Sequence, residues 1–346
     1  MKKHNANNER IKRAYFAWMR NARGRSEPSI DAAAAAIHRF ETHTCYRDFK
    51  AFHIEQAIAF KDHLREQANR RTGERLSAST LYSTMSALKA FFNWLAGQSG
   101  YKSRIRYSDA EYFSLDRTET AVAKAHREPR VPTLEQIRHV LKSMPATTVI
   151  ERRNRALVAF TILTGARDRA IASMKLRHVD LIEGRVNQDA REVRTKFGKT
   201  FSTTFFPVGD DIREIVNEWI DHLRRVELWG LDDPLFPKTR IEIGTNRQFE
   251  AVGLERAHWS TATPIRKIFR CAFEKAGLPY YRPHSFRHTL VMLGERLCGP
   301  PEEFKAWSQN LGHDSPLTTF TSYGHVPFTR QAEIIRGLRA PDQLGG

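Results

Sequence analysis

Residues 156–167 read ALVAFTILTGAR, an apolar run that ends in Thr164, Gly165, Ala166 and Arg167. The run predicts a buried helix, and the glycine predicts its end. Arg167 would then lie at a sharp turn beside the core, where a guanidinium is costly unless it pairs with an anion. The alternative is a helix cap whose basic residue complements the helix dipole. The turn therefore predicts either an anion site or a simple cap.

Two further basic motifs follow in the chain. His284 and Arg287 are three residues apart, so a helical turn would place both side chains on one face, towards one ligand. Lys196 stands at the end of a predicted strand, beside a turn at Phe197 and Gly198. A hairpin lysine ordinarily protects a sheet edge, but a hairpin can also carry an ammonium into a neighbouring site. The local sequence leaves both interpretations of Lys196 open.

The last motif combines a helix end with a tyrosine. Leu311 and Gly312 are typical of a helix end, and His313 follows directly. Tyr323 comes ten residues later, after the short polar stretch that begins at Thr318, and is close enough in sequence to share a pocket with His313. A buried tyrosine with a satisfied hydroxyl is the alternative. Two arginines, two histidines and a lysine suit a phosphate centre, to which a tyrosine adds an oxygen nucleophile.

Length and charge limit the class of protein. A chain of 346 residues predicts about two domains, each with its own core. Its 56 basic and 39 acidic residues give a net charge of +17, which divides into +10 for residues 1–130 and +7 for the remainder. This excess indicates a polyanionic partner, most simply nucleic acid, on which both halves lie. A basic charge that only favours solubility is the alternative.

Cysteine usage and hydropathy indicate the compartment. The three cysteines, Cys45, Cys271 and Cys298, are odd in number and far apart, which disfavours a disulfide framework or a zinc site and fits a reducing cytoplasm. No apolar run approaches the roughly 18 residues of a membrane span, and no signal core follows Met1–Asn5. We expect a soluble cytoplasmic protein with no membrane partner.

The hydrophobic pattern predicts a mainly α fold in four parts. Residues 1–28 form a basic arm with helical periodicity, which could contact DNA or pack on the next domain, or less plausibly lie on a membrane surface. Residues 29–107 predict an all-helical domain, and 108–132 an interdomain linker. Residues 133–346 predict a mostly helical second domain with one small antiparallel sheet.

Individual elements are predicted from caps, stripes and turns. Helices are expected at 29–40, 54–67, 77–97, 134–143, 149–163, 211–226 and 263–277. Strands are expected at 179–185, 192–196 and 201–207.

Taken in order, the basic motifs and the tyrosine resemble those of the tyrosine recombinase, or phage integrase, family. The likeness covers most of the chain: 29–107 is similar to the core-binding domain of that family, and 133–346 to its catalytic domain. The strings that carry it are jointly specific, although each is weak alone: Thr164–Arg167, His284–Arg287, Leu311–His313 and Thr318–Tyr323.

The resemblance implies a site-specific recombinase that breaks and rejoins DNA without a metal, a cofactor or ATP. Tyr323 would attack a backbone phosphorus and form a 3′-phosphotyrosyl bond. Arg167 and Arg287 would hold the non-bridging oxygens, and Lys196 would protonate the leaving 5′ oxygen. His284 would assist proton transfer around the tyrosine.

The resemblance also gives roles to His313 and to an acidic residue. His313 would donate a hydrogen bond to a phosphate oxygen. The family commonly has an acidic residue three positions after its first arginine, where this chain has Ala170. We expect Asp168 or Asp180 to orient Arg167 instead, and Arg169 is a minor alternative to Arg167.

Partners and rival functions follow from the same resemblance. The partner would be double-stranded DNA with specific recombination sites, bound by a homodimer or homotetramer. The tail after Tyr323 would dock on a neighbouring subunit or pack on its own domain through the apolar residues Phe328, Ile334, Ile335 and Leu338. The alternative functions are a DNA-binding protein without chemistry and a type IB topoisomerase-like enzyme that nicks and reseals one duplex.

Overall fold

The computed structural model describes residues 4–69, 73–125, 130–244 and 247–313. The chain divides into two compact units, Met1–His126 and Arg127–Gly346. Each unit has its own cluster of buried hydrophobic side chains. Tyr323 and the whole tail after it lie outside the described residues.

The first unit is helical in all its long elements. Its helices are α1 (Ala6–Asn21), α2 (Glu27–His43), α3 (Ile54–Glu66), α4 (Ala78–Ala96) and α5 (Arg117–Lys124), with 3-10 helices at Phe49–Ala51 and Tyr107–Phe113. Its core is largely aromatic: the ring of Phe40 meets those of Phe60 and Phe92 edge-on, with centroids 5.3 and 5.5 Å apart. Such edge-to-face pairs add to the apolar burial.

Helix α4 follows directly from its sequence. The Ser77 hydroxyl accepts a hydrogen bond from the backbone N–H of Thr80 at 3.2 Å, and Gly97 caps the other end. Leu88, Phe91 and other members of its apolar stripe are fully buried. The predicted helix at 77–97 is therefore confirmed, because cap and stripe agree.

The predicted basic arm is a packed helix. Tyr15 of α1 is only 3% exposed within the first core. Asn8 is buried and donates to Glu41 of α2 at 3.1 Å, and Lys12 forms an ion pair with the same carboxylate at 2.6 Å. Pro28, the last residue of the predicted arm, lies in the first turn of α2. A proline suits the first turn of a helix because a backbone N–H at that position would have no acceptor within the helix.

The segment expected to be a linker is mostly folded. Phe113, in the 3-10 helix before α5, is 1% exposed in the first core, and Glu119 of α5 forms an ion pair with Arg65 of α3 at 2.7 Å. Residues 108–125 therefore belong to the first unit, and the boundary between the two units, after His126, falls within the expected linker of 108–132. The high density of charges in this segment concealed its few well-placed apolar residues.

The second unit combines helices with two small sheets. Its helices are α6 (Leu134–Ser143), α7 (Val149–Thr164), α8 (Asp168–Ile171), α9 (Asp210–Arg225), α10 (Thr263–Lys275), α11 (Ser285–Leu297) and α12 (Pro301–Asn310). Its strands are β1 (Val179–Asp180), β2 (Arg185–Gln188), β3 (Phe201–Thr204), β4 (Lys238–Ile243) and β5 (Phe249–Glu255). Short 3-10 helices lie at Leu176–His178 and Lys196–Gly198.

Helix α7 is the centre of the second core. Every residue from Ala156 to Thr164 is buried, as the apolar run predicts. Helix α9 packs against it through a stripe that includes Val216 and Trp219, and the Trp219 indole donates to the carbonyl of Leu235 at 2.9 Å. The position of α7 fixes where its carboxyl end, and therefore Gly165, meets the rest of the unit.

The strands differ from prediction in two places. The first sheet is antiparallel with order β1-β2-β3, and β3 agrees with the expected strand at 201–207. The expected strand at 179–185 contains the β1–β2 turn, which Asp180 stabilises by accepting two backbone N–H groups. The expected strand at 192–196 lies in the β2–β3 connection. There Glu192 binds His178, so its alternation of polar and apolar residues reflects ion pairing and not sheet pairing.

The second sheet, β4 and β5, was not predicted. The two strands form an antiparallel hairpin with a bulge between Arg240 and Ile241. Ile243 and Phe249 on this hairpin are largely exposed. Charged residues alternate irregularly with apolar ones here, so the period of two is weak in the sequence.

Candidate active site

The end of α7 requires a glycine. Gly165 has φ of +60° and caps the helix, and its N–H donates to Thr161 at 2.9 Å. A Cβ at this position would lie 2.9 Å from a methyl group of Leu311 and 3.0 Å from one of Leu290. Backbone conformation and close packing therefore both exclude a side chain at 165. This close approach holds the carbonyl of Gly165 against α11 and the end of α12.

Arg287 joins three motifs that are far apart in sequence. Its side chain is 2% exposed, and its Nη1 donates to the carbonyl of Gly165 at 2.6 Å. Its Nη2 donates to the carbonyl of Leu311 at 2.6 Å and to Nε2 of His313 at 3.1 Å. Charge-assisted hydrogen bonds such as these are about twice as strong as neutral ones. The structure therefore brings together the Thr164–Arg167, His284–Arg287 and Leu311–His313 strings, as the sequence predicts.

His313 is held in its neutral form. Burial, together with the positive charges of Arg287 and Arg167, lowers its pKa to about 4. Its Nδ1 lies 3.5 Å from the hydroxyl of Ser308. An accepting Nε2 and a protonated Nδ1 satisfy the contacts with Arg287 and Ser308.

His284 directly precedes α11 and is partly exposed. Burial of part of its ring lowers its pKa, and the charges of Arg287 and Arg167 lower it further, opposed by Asp168. Lys196 also lowers this pKa, so its ammonium lies within electrostatic reach of the imidazole. His284 is therefore a neutral base among three cations at pH 7.

Arg167 lies between α7 and α8. It is half-buried with extended backbone and directly precedes the first residue of α8. The neighbouring Asp168 accepts a hydrogen bond from Nε of Arg266 at 2.8 Å, so α10 is tied to the same turn. Arg169, the minor alternative, is exposed on α8.

The expected acidic support of Arg167 has other contacts. Asp168 is paired with Arg266, as above, and Asp180 caps the β1–β2 turn. Ala170, at the position where the family has an acidic residue, is 1% exposed in the core. The replacement of a carboxylate by a methyl group at 170 fits this apolar environment.

Lys196 lies at the tip of the β2–β3 connection and not at the end of a strand. Its ammonium is 4.8 Å from the centre of the Phe197 ring. Phe197 has φ of +62° and is 87% exposed. The tip is thus held by little packing of its own, and its position depends on the residues at either side.

The sequence interpretation missed Lys199. Its Nζ donates to the carbonyl of Gly312 at 3.3 Å, and its charge contributes to the lowered pKa of His313. Gly312 has φ of +73°, and a Cβ there would lie 2.7 Å from the ring of Phe201. The available signal was the spacing: Lys196 and Lys199 flank the same Phe197-Gly198 turn, so either lysine could reach one site.

Tyr323, the predicted nucleophile, lies outside the described residues, as do Thr318 and the apolar residues of the tail. Among residues 4–69, 73–125, 130–244 and 247–313, no three His, Cys, Asp or Glu side chains are grouped to hold a metal ion. Over the same ranges, every helix is too short or too polar to cross a membrane.

Comparison with known proteins gives a family and a fold. The model of the phage integrase family matches residues 130–330. Tyrosine recombinase XerC of Pseudomonas putida is 23% identical over 329 residues, which cover 94% of this chain and 94% of that protein.

Two solved structures share the fold at low sequence identity. One is XerH site-specific recombinase bound to palindromic difH substrate in a post-cleavage complex, with a TM-score of 0.60, 18% identity, and coverage of 91% of this chain and 81% of that one. The other is a lambda integrase tetramer bound to a Holliday junction, with a TM-score of 0.56, 14% identity, and coverage of 89% and 78%.

Proposed function

Because this chain belongs to the phage integrase family, we propose that it is a site-specific DNA recombinase that cleaves and rejoins strands through a 3′-phosphotyrosyl intermediate. The observation that carries the proposal is the set of contacts of Arg287. This one guanidinium binds Gly165, Leu311 and His313, and so assembles the motifs on which the chemistry depends.

The charges around these motifs suit a phosphoryl transition state. The positive charges of Arg287, Arg167 and Lys196 each lower the pKa of His284, so all three lie within electrostatic reach of its ring. In a cleft with little water, preorganised donors stabilise the negative charge that develops on the phosphate oxygens. Removing one such donor typically costs on the order of 10² to 10³ in rate.

The proton transfers follow from the protonation states. The Tyr323 phenol oxygen forms a bond to phosphorus while its proton passes to the imidazole of His284, which the lowered pKa keeps neutral. The bond from phosphorus to the 5′ oxygen breaks, and the Lys196 ammonium gives that oxygen a proton. Attack by a 5′ hydroxyl reverses these steps, so the phosphotyrosyl bond retains the energy for rejoining and no ATP is used.

His313 acts first through Arg287. Its Nε2 accepts from that guanidinium, which fixes the orientation of the guanidinium plane. Direct donation from His313 to a phosphate oxygen, as the resemblance implies, requires the ring to exchange this contact for the phosphate. We assign His313 a positioning role before DNA binds and a hydrogen-bonding role in the complex.

Partners follow from charge and from the relatives. The net charge of +17 favours a polyanion. XerH is described bound to a palindromic difH substrate, and lambda integrase as a tetramer bound to a Holliday junction. We propose that this chain likewise binds double-stranded recombination sites and assembles on them as a dimer or tetramer. We also propose that it acts in the cytoplasm, on DNA.

A nicked suicide substrate tests the reaction. Loss of a short fragment after cleavage prevents rejoining, so the wild-type chain should accumulate a protein–DNA adduct that survives denaturant. Tyr323→Phe should form none, whereas Tyr107→Phe, at an exposed tyrosine of the first unit, should match the wild type. An adduct that persists in Tyr323→Phe would reject this nucleophile, and no adduct from the wild type on any cognate site would favour a DNA-binding protein without chemistry.

A second assay separates the topoisomerase-like alternative. Plasmids with two sites should yield products in which strands from different sites are joined. Relaxation of supercoiled plasmid with no exchange between sites would favour nicking and resealing of one duplex.

A further inference from the structure

The loop that carries Lys196 is anchored at both ends. We define the Lys196 loop as residues 189–200, which connect β2 to β3. At its far side, Lys199 donates to the carbonyl of Gly312. At its near side, Val193 is 1% exposed in the core and Arg194 follows it. Only the tip, Lys196–Gly198, projects between these anchors.

Arg194 makes the larger set of anchoring contacts. Its Nη1 donates to the carbonyl of Ser260 at 2.5 Å, and its Nη2 donates to the carbonyls of Trp259 at 2.5 Å and Ala172 at 3.0 Å. Its backbone N–H donates to the hydroxyl of Ser173 at 2.9 Å. One side chain thus bridges three segments: the Lys196 loop, the end of α8 and the stretch before α10.

The groups that accept from Arg194 are themselves fixed. Ala172 directly follows α8, the helix that begins after Arg167. Trp259 is 4% exposed, and the guanidinium of Arg153 lies 5.2 Å from its ring centre. The loop is therefore tied to the end of α8, the helix that Arg167 directly precedes.

Arg194 restricts the position of Lys196 because the two residues are only two positions apart in the chain. Two residues of extended chain span at most about 7 Å, so a fixed Arg194 confines the backbone of Lys196 to a small volume. The tip has no comparable packing of its own, since Phe197 is 87% exposed. A displacement of about 1 Å in a reacting group can cost about 10²-fold in rate.

We propose that Arg194 is a positioning residue for leaving-group protonation: it holds the Lys196 loop so that the ammonium reaches the departing 5′ oxygen. The inference rests on the proposed function and adds a residue to it. Arg194 itself transfers no proton. Lys196 gives one proton to the 5′ oxygen as the bond from phosphorus breaks, and becomes a neutral amine.

A direct phosphate contact is the rival role for Arg194. Three of its guanidinium N–H groups already donate to carbonyls, and burial together with the charge of Arg169 lowers its pKa. Both observations favour an internal anchor over a DNA ligand. The two roles differ in one measurable respect, because only the anchor acts through Lys196.

A substrate with sulfur in place of the bridging 5′ oxygen makes the difference visible. A thiolate leaves without a proton, so cleavage of this 5′-phosphorothiolate does not need a general acid. Lys196→Ala should slow cleavage of ordinary DNA by about 10²- to 10⁴-fold and cleave the sulfur substrate at close to the wild-type rate. Arg194→Ala should show the same pattern, with a loss of about 10- to 100-fold on ordinary DNA.

Arg191→Ala is the matched control. Arg191 lies on the same loop and carries the same charge, but it is largely exposed and pairs with Asp189. Arg191→Ala should cleave both substrates at the wild-type rate. Arg194→Lys keeps the positive charge but lacks the planar guanidinium. It should therefore slow cleavage of ordinary DNA less than Arg194→Ala does, and it should cleave the sulfur substrate at close to the wild-type rate. It serves as the test variant if Arg194→Ala unfolds.

The outcomes separate this inference from the proposed function. If wild type forms no adduct, the proposed function fails. If Lys196→Ala is rescued by sulfur while the Arg194 variants remain slow on both substrates, the positioning role is wrong. The positioning role is also wrong if an Arg194 variant cleaves ordinary DNA at the wild-type rate. If an Arg194 variant binds DNA more weakly and the sulfur substrate does not restore its cleavage rate, Arg194 contacts a phosphate.

Discussion

At the scale of single residues, Arg287 shows how a cation can be both structural and functional. It is buried, and its acceptors include the carbonyls of Gly165 and Leu311 and the ring of His313. A carboxylate would neutralise the guanidinium. Carbonyls, being neutral acceptors, satisfy hydrogen bonds without cancelling the positive charge of a guanidinium, and that charge can act on a phosphate.

Arg287→Lys should therefore lose stability and activity together. A lysine cannot span two carbonyls and an imidazole, so we expect a loss of roughly 3 kcal/mol in the free energy of unfolding and at least 10²-fold slower adduct formation. Urea unfolding and the suicide substrate measure these effects. Arg282→Lys, at an exposed arginine five residues earlier, should change neither. Near wild-type adduct formation in Arg287→Lys would remove Arg287 from the site.

The lowered pKa of His313 predicts a pH-dependent stability. Its pKa is about 4 in the folded chain against an ordinary value of 6.5, so between these values the unfolded chain binds more protons. The free energy of unfolding should therefore fall as pH falls from 6.5 to 4, and this contribution is fully present above 6.5.

Urea unfolding at a series of pH values checks this dependence. His313→Gln should have a shallower slope between pH 4 and 6.5 than the wild type, because its side chain does not titrate. Parallel slopes for the two proteins would show that His313 is not held neutral by the fold.

The grouping of the candidate residues was largely predictable because their order along the chain is informative. Arg167, His284, Arg287 and His313 lie in the strings that suggested them, and the structure brings these strings together. The role of Arg194 was not visible, since its acceptors are carbonyls 22 and more residues away. Its importance depends on backbone positions, which no side-chain motif records.

At the scale of elements, the end of α7 and the Lys196 loop decide the geometry. Helix boundaries were predicted well where a cap and a stripe coincide, as at Ser77 and Thr133. The strands were predicted less well, since those of the first sheet have two to four residues and their alternation resembles that of ion-paired loops. The loop between β2 and β3 is thus defined by its anchors, and not by a strand pattern.

Gly165→Ala tests the close approach at the end of α7. The substitution adds backbone strain at positive φ and a clash with Leu311 and Leu290, so we expect a loss of about 1–3 kcal/mol in the free energy of unfolding. Adduct formation should also slow, because the carbonyl of Gly165 binds Arg287.

Gly277→Ala is the matched control for this prediction. Gly277 has φ of +72°, but a Cβ there would meet nothing within 4 Å. It should lose about 1 kcal/mol from strain alone and keep the wild-type rate of adduct formation. Equal effects of the two substitutions on rate would mean that the packing at 165 does not serve the site.

At the scale of the whole molecule, the chain consists of two units with separate cores and a shared sign of charge. Mainly helical architecture and a small antiparallel sheet were predictable from periodicity. The boundary between the units was less predictable from the sequence. Residues 108–125 have the composition of a linker, but part of this segment packs in the first core. A few residues such as Phe113 and Leu115 assign this segment to the first unit, because they contact core residues that are distant in the sequence.

DNA binding by the full chain should depend steeply on salt. If the two basic units together neutralise six or more phosphates, affinity for a cognate duplex should fall by about 10³-fold or more between 50 and 200 mM salt. Binding measured by fluorescence anisotropy over this range gives the slope of log affinity against log salt. A slope near zero would contradict a phosphate-dominated interface.

The main-chain acceptors of Arg287 have an evolutionary consequence. Every amino acid carries a carbonyl, so replacing the side chain at 311 leaves the acceptor itself in place, and only a shift of the backbone can remove it. Lineages can therefore vary in sequence around this arginine without dismantling its binding pocket. Distant relatives with little sequence identity could therefore share the same backbone acceptors for this arginine, because the fold and not the side chains places them.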